Sequence, residues 1–201
     1  MNTANKKYIG KVVVESKHRI AAHNSVSRYM KLGLCVSLLG FSLSNALANE
    51  VADGDKKFLM AAADAEITAI NAAKYAYQKS TSRDVKAYAA AAVTEQTKMR
   101  TKLAKLAEVK NVALPDEPSR LHAQKITALN SLDVKSFDVA YAGDIGIAAH
   151  KETIAMFRNA EKNAQDADVK VFASASLPAL ETQLQAAEKL KETLDSKPAK
   201  R

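Results

Sequence analysis

Residues 55–78 read DKKFLMAAADAEITAINAAKYAYQ, and this stretch decides the fold class. Phe58, Leu59, Ala62, Ala69, Ile70, Ala73 and Tyr77 recur at the spacing of one helical face. At 100° per residue Glu66 falls in the middle of that apolar arc. The pattern returns three times. Val85, Tyr88, Ala92, Met99, Leu103 and Leu106 form a stripe interrupted by Gln96. Val139, Gly143, Ile147, Ile154 and Phe157 form one interrupted by His150, and Val169, Phe172, Leu180, Ala187, Leu190 and Leu194 one interrupted by Gln183. Beyond residue 48 glycine occurs only at 54, 143 and 146 while alanine is abundant, which favours helix throughout.

Punctuation sets the expected boundaries. Asp55 is placed to cap a first helix ending near Gln78. Thr81-x-x-Asp84 has capping-box spacing for a second, which ends near Asn111 because Leu114-Pro115 and Glu117-Pro118 cannot continue it. A short helix over about 119–130 fits the crossover, a long one spans about 134–163, and Asp166 or Asp168 opens the last, with Pro178 inside as an expected kink. Two tight hairpins joined by a longer connection predict an all-α, ferritin-like four-helix bundle over 55–194, after a short linker at 49–54 and before a disordered tail at 195–201.

Residues 1–48 have the character of a signal segment. Lys17, Arg19, Arg28 and Lys31 precede the apolar run 32–43, and Ala46-Leu47-Ala48 offers the small-x-small pattern of a cleavage site. Cleavage after Ala48 is expected, with Met30 as an alternative start, and no membrane span should remain. Of 30 Lys/Arg and 22 Asp/Glu, 7 and 1 lie in this segment, so the net charge falls from +8 to +2 without it. The basic balance is therefore no sign of nucleic acid binding. Cys35 leaves with the segment, which excludes an internal disulfide in the mature chain.

The four polar interruptions fall at one level. Glu66 and Gln96 each lie 15 residues from Thr81, about 22 Å along antiparallel helices. His150 and Gln183 lie 15 and 18 residues either side of Gln165. Such a buried polar layer is expected to bond within itself or to trapped water. The alternative is a metal or redox site of Glu66 and His150 with Glu95 as helper. Against it, no Glu-x-x-His occurs after residue 48, and glutamine is a poor transition-metal ligand. His122 is expected on the wet surface, as is the run Lys98, Arg100, Lys102, Lys105. Tyr141, three residues after Asp138, is expected to pack. Phosphate loops, nucleophile elbows, Cys-x-x-Cys and His-Glu-x-x-His are all missing.

Asp55-Lys56-Lys57-Phe58 with Glu66, Val85-Lys86-Ala87-Tyr88-Ala89, Phe137-Asp138-x-x-Tyr141 with His150, and Leu177-Pro178-x-Leu180 together resemble a family of secreted bacterial proteins, domain of unknown function 4142. The resemblance covers about 55–194. It implies a ferritin-like fold and the label "predicted outer membrane protein". The family pattern has histidines where this chain has Gln96, after Glu95, and Gln183. The expectation is thus a periplasmic, non-catalytic envelope or stress-associated binding protein, with outer-membrane association as a further option. It would have no cofactor, and its partner would be an envelope component or a small ligand. A chaperone-like protein is a third reading, from the Ala-rich third helix.

Overall fold

The structure, a computed structural model, describes residues 51–196; the expected signal segment and the last five residues of the tail lie outside them. Every regular element among the described residues is helical: α1 (Asp53–Lys79), α2 (Arg83–Val109), α3 (Arg120–Ser131), α4 (Val134–Ala140), a π-helical segment (Tyr141–Ala148), α5 (Ala149–Asn163) and α6 (Ala167–Ser196). No described helix is long and apolar enough to cross a membrane. α1 packs along α2 and α5 along α6, while α2 meets α6 and α1 meets α5. One apolar cluster gathers Phe58, Leu59, Leu103, Phe157, Val169 and Leu180, and another gathers Val85, Ala89, Phe137, Tyr141 and Leu190.

Local chemistry explains the ends. α2 is capped one residue later than the expected box, by Ser82 Oγ accepting from Val85 N–H at 3.5 Å. It stops where Asn111 takes φ 54° and Val112 N–H turns back to the Ala107 carbonyl at 2.9 Å, a left-handed C-terminal cap that asparagine tolerates. Asp166 caps α6, its carboxylate accepting from Asp168 and Val169 N–H at 2.9 and 3.2 Å. α6 runs unbroken through Pro178 and includes Asp195 and Ser196, where the frayed tail was expected to begin.

Asp55 does not cap its own helix. α1 starts at Asp53, and Asp55 is buried with its carboxylate accepting from Gln165 N–H (3.1 and 3.0 Å) and Asp166 N–H (2.7 Å). One carboxylate therefore joins the first turn of α1 to the α5–α6 turn, satisfying backbone donors that would otherwise be lost to burial.

The third long helical stretch departs most from expectation. Val139 is exposed and Gly143 and Ile147 are only half-buried, while Phe137, Tyr141, Ala142, Ile145 and Gly146 face inward. The π segment is the reason. Ala149 N–H reaches the Asp144 carbonyl, five residues back, so the widened turn shifts the buried face by about one to two positions relative to an α-helix. Tyr77, expected inside, is 52% exposed, with Lys86 Nζ 5.6 Å from its ring centroid.

Gly146 sits where the π segment presses on α6. A Cβ there would lie 2.9 Å from Ala187 Cβ and 3.4 Å from Tyr88 Oη. Gly146→Ala should gain about 1 kcal/mol in helix propensity yet lose more to overlap. We expect a net destabilisation of about 1–3 kcal/mol, measured by chemical denaturation; an unchanged or raised midpoint would show that the close approach is dispensable.

Candidate functional site: a buried polar chain beside an apolar cavity

Three of the four polar interruptions meet. Gln96 Nε2, from α2, donates to Gln183 Oε1 of α6 at 2.9 Å, and the same oxygen lies 3.2 Å from His150 Nε2 of α5. The other ring nitrogen, Nδ1, lies 3.1 Å from the Ile145 carbonyl. That carbonyl would take Ala149 N–H in an α-helix; the π turn diverts that donor to Asp144 and leaves the oxygen for the ring. A carbonyl only accepts, so Nδ1 carries a proton. As imidazolium, His150 also donates from Nε2 to Gln183 Oε1. A neutral ring needs a donor there, which the Gln183 amide supplies by turning end for end, with Gln96 turned likewise to accept.

Glu66 stands apart from this chain. It is 3% exposed, and neither carboxyl oxygen has a hydrogen-bond partner among the described residues. Burial pushes its pKa up from 4.5 to about 8, with the Arg100 guanidinium opposing the shift. At neutral pH Glu66 is therefore mostly the uncharged acid, able both to donate and to accept.

Glu66, Gln96 and His150 line one cavity of 620 Å³, together with Ala61, Ala65, Ala69, Met99, Leu129, Leu132, Ile145, Met156 and Leu180. Alanines facing one another across the helices leave this space. The crossover helix α3 borders it and is tied to α1 at both ends. Asp64 accepts from Ser119 N–H at 2.6 Å and lies 2.8 Å from His122 Nδ1. Lys79 Nζ donates to the Asn130 and Leu132 carbonyls at 2.7 and 2.5 Å and lies 5.6 and 5.2 Å from the Tyr75 and Phe137 ring centroids. His122 is thus a half-buried partner of Asp64 lining the cavity, where a wet surface histidine was expected. Sequence reading also missed Asp64, since nothing in its spacing distinguishes it from a surface acid.

Glu95 stays at the surface, paired with Lys98 at 2.8 Å, and does not line the cavity. In the basic run, Lys98 is exposed, but Arg100 turns inward and donates to the Pro115 carbonyl at 3.2 Å. Tyr141 is buried, stacked on Phe137 at 5.9 Å between centroids and edge-on to Tyr88 at 5.9 Å. Burial raises the Tyr88 pKa to about 12, and Asp138 is also pushed up by burial, opposed by a hydrogen bond from Ser80. Both ring nitrogens of His150 are engaged in hydrogen bonds, its neighbours are amides, and no group of three His, Cys, Asp or Glu among the described residues converges as a metal site. The donor set does not fit a transition metal.

Fold and site define an all-helical protein with a hydrogen-bonded polar chain set against an apolar cavity. Over residues 41–190 the chain matches the family described as Domain of unknown function (DUF4142), and it belongs to that family. No curated protein and no solved structure matches it.

Glu66 gives the fold a pH dependence. The folded protein binds a proton at Glu66 that the unfolded chain has lost, so stability falls as pH rises from 4.5 towards 8 and levels off above. Glu66→Gln should flatten that slope and raise the melting temperature at pH 8 relative to wild type, the shift being equivalent to a few kcal/mol. Melting curves from pH 5 to 9 check this; a parallel profile for wild type and variant would show that Glu66 does not titrate in this window.

Proposed function

We propose that the chain is exported, and that its helical part is a ferritin-like four-helix bundle serving in the periplasm as a non-catalytic binding protein for a small apolar ligand. The observation that carries this reading is the 620 Å³ cavity between the helices, lined mainly by apolar side chains, with Glu66, Gln96 and His150 among the polar groups that reach it. That combination of a hydrocarbon-like wall and a few placed polar groups is the usual make-up of a ligand pocket. Two antiparallel helix pairs with the long, α3-bearing connection between them support the ferritin-like topology. The basic residues, apolar run and Ala46-Leu47-Ala48 before the domain support export. No nucleophile–base pair accompanies the cavity, and His150 spends both ring nitrogens on structural bonds, which favours binding over catalysis.

The uncharged dye N-phenyl-1-naphthylamine should bind saturably, about one per chain. Ala65→Phe, which fills the cavity from α1, should abolish binding while the protein stays folded by circular dichroism. Non-saturating fluorescence, or equal binding by the variant, would overturn the cavity as the binding site. Export has its own check: the periplasmic fraction should contain a chain whose first residue is Asn49. A cytosolic chain retaining residues 1–48 would count against it.

A further inference from the structure

Resting on the cavity as a binding site, we infer that its ligand is an uncharged amphiphile: a hydrocarbon body whose single head group, a hydroxyl or an amide, both donates to and accepts from the Glu66 carboxyl. The wall dictates the body. Ala65, Met99, Leu129, Ile145, Met156 and Leu180 offer only hydrocarbon and thioether contact, so the buried part of the ligand must be apolar.

Glu66 dictates the head. Its two oxygens are out of water and without a partner among the described residues; Gln183 Nε2 also lacks one, but Gln183 does not line the cavity, and Gln96 and His150 are already bonded to it. A buried carboxyl with nothing to bond leaves one donor and one acceptor position open. A hydroxyl or an amide meets both without introducing charge.

Charged heads meet opposition. An anionic head would share the cavity with Asp64, Asp144 and Glu152, against Lys125 as the cavity's lysine, and the Arg100 guanidinium that acts on Glu66 does not line the cavity. A cationic head would need Glu66 to ionise away from water, and the Arg100 guanidinium that favours the ionised carboxyl would itself repel the incoming cation.

Matched probes differing only in the head decide the matter. Octan-1-ol, octylammonium and octanoate are titrated into the purified protein by calorimetry at pH 7, with wild type, Glu66→Gln and Glu66→Leu. Octan-1-ol should bind at least about tenfold more tightly than either charged probe. Glu66→Gln, whose amide keeps a donor and an acceptor, should hold octan-1-ol within about threefold of wild type, and Glu66→Leu should lose about tenfold or more. Tighter binding of octylammonium with loss in Glu66→Gln would overturn the uncharged head and make Glu66 a counter-ion. Octan-1-ol binding unchanged in Glu66→Leu would overturn the role of Glu66. The Glu66→Gln arm decides even where Glu66→Leu does not fold. If the naphthylamine dye binds and Ala65→Phe removes it, these failures fall on the head-group assignment alone; if no probe and no dye binds, the cavity reading falls with it.

Discussion

The hydrogen bond from His150 Nδ1 to the Ile145 carbonyl is the contact on which the middle of the molecule turns. It exists because the backbone before it is π-helical, and the same wide turn sets which residues of the third helical stretch face inward. With α-helical spacing through 141–148, His150 could keep its place only if Phe137, Tyr141 and Ile145 rotated away from the core. The π turn reconciles the two demands. It lets the aromatic pair Phe137–Tyr141 fill one cluster while His150 reaches Gln183, and it supplies a free carbonyl at the level where the ring needs an acceptor. Gly143 and Gly146 make this turn affordable: neither brings a Cβ into it, and Gly146 could not do so without meeting Ala187.

A second set of polar contacts fixes how the helices are held around the cavity. Asp55 binds the α5–α6 turn to the start of α1, and Lys110 binds Asp166 and Asp168 at 2.7 and 2.6 Å, linking the end of α2 to the start of α6. At the crossover, Asp64 and Lys79 hold the two ends of α3 against α1. Apart from the Lys110 ion pairs, these are charged groups bonded largely to backbone, which makes them stronger ties than surface ion pairs and lets α3 border the cavity without having to fill it. Only Leu129 of α3 is buried. The space beneath therefore follows from how α3 is attached, together with the alanines of α1.

Much of this was legible in the sequence. The helical repeat fixed four long stretches to within a few residues, and counting from the turns put Gln96, His150 and Gln183 at one level, where they are in fact hydrogen-bonded. Counting works because the helix rise is constant, and Pro178 did not disturb it. Prediction failed where a residue's partner lies far along the chain or where the period itself changes. Asp55 looks like a local cap, but its donors are 110 and 111 residues away. Asp64, His122 and Arg100 read as surface charges because nothing near them in sequence announces the crossover that covers them. The π turn broke the extrapolated face of helix three. Its one advance sign was a pair of glycines, Gly143 and Gly146, inside a helix of a chain that beyond residue 48 has only Gly54 besides.

The same accounting isolates Glu66. Of the four polar residues on the core faces, three form a chain in which Gln183 Oε1 meets both Gln96 Nε2 and His150 Nε2, leaving Gln183 Nε2 without a partner among the described residues. The carboxyl gains no hydrogen bond from that chain: among the described residues both oxygens are buried without a partner, and burial, opposed by the Arg100 guanidinium, pushes the acid up to about 8. For packing alone, a leucine or methionine at this position would serve better, since it would remove an unsatisfied polar group from the interior. A group held at that cost beside a cavity is better explained by what enters the cavity than by what surrounds it. On the proposed reading stability and recognition separate, with the Gln96–Gln183–His150 chain joining α2, α5 and α6 and Glu66 left to meet the ligand.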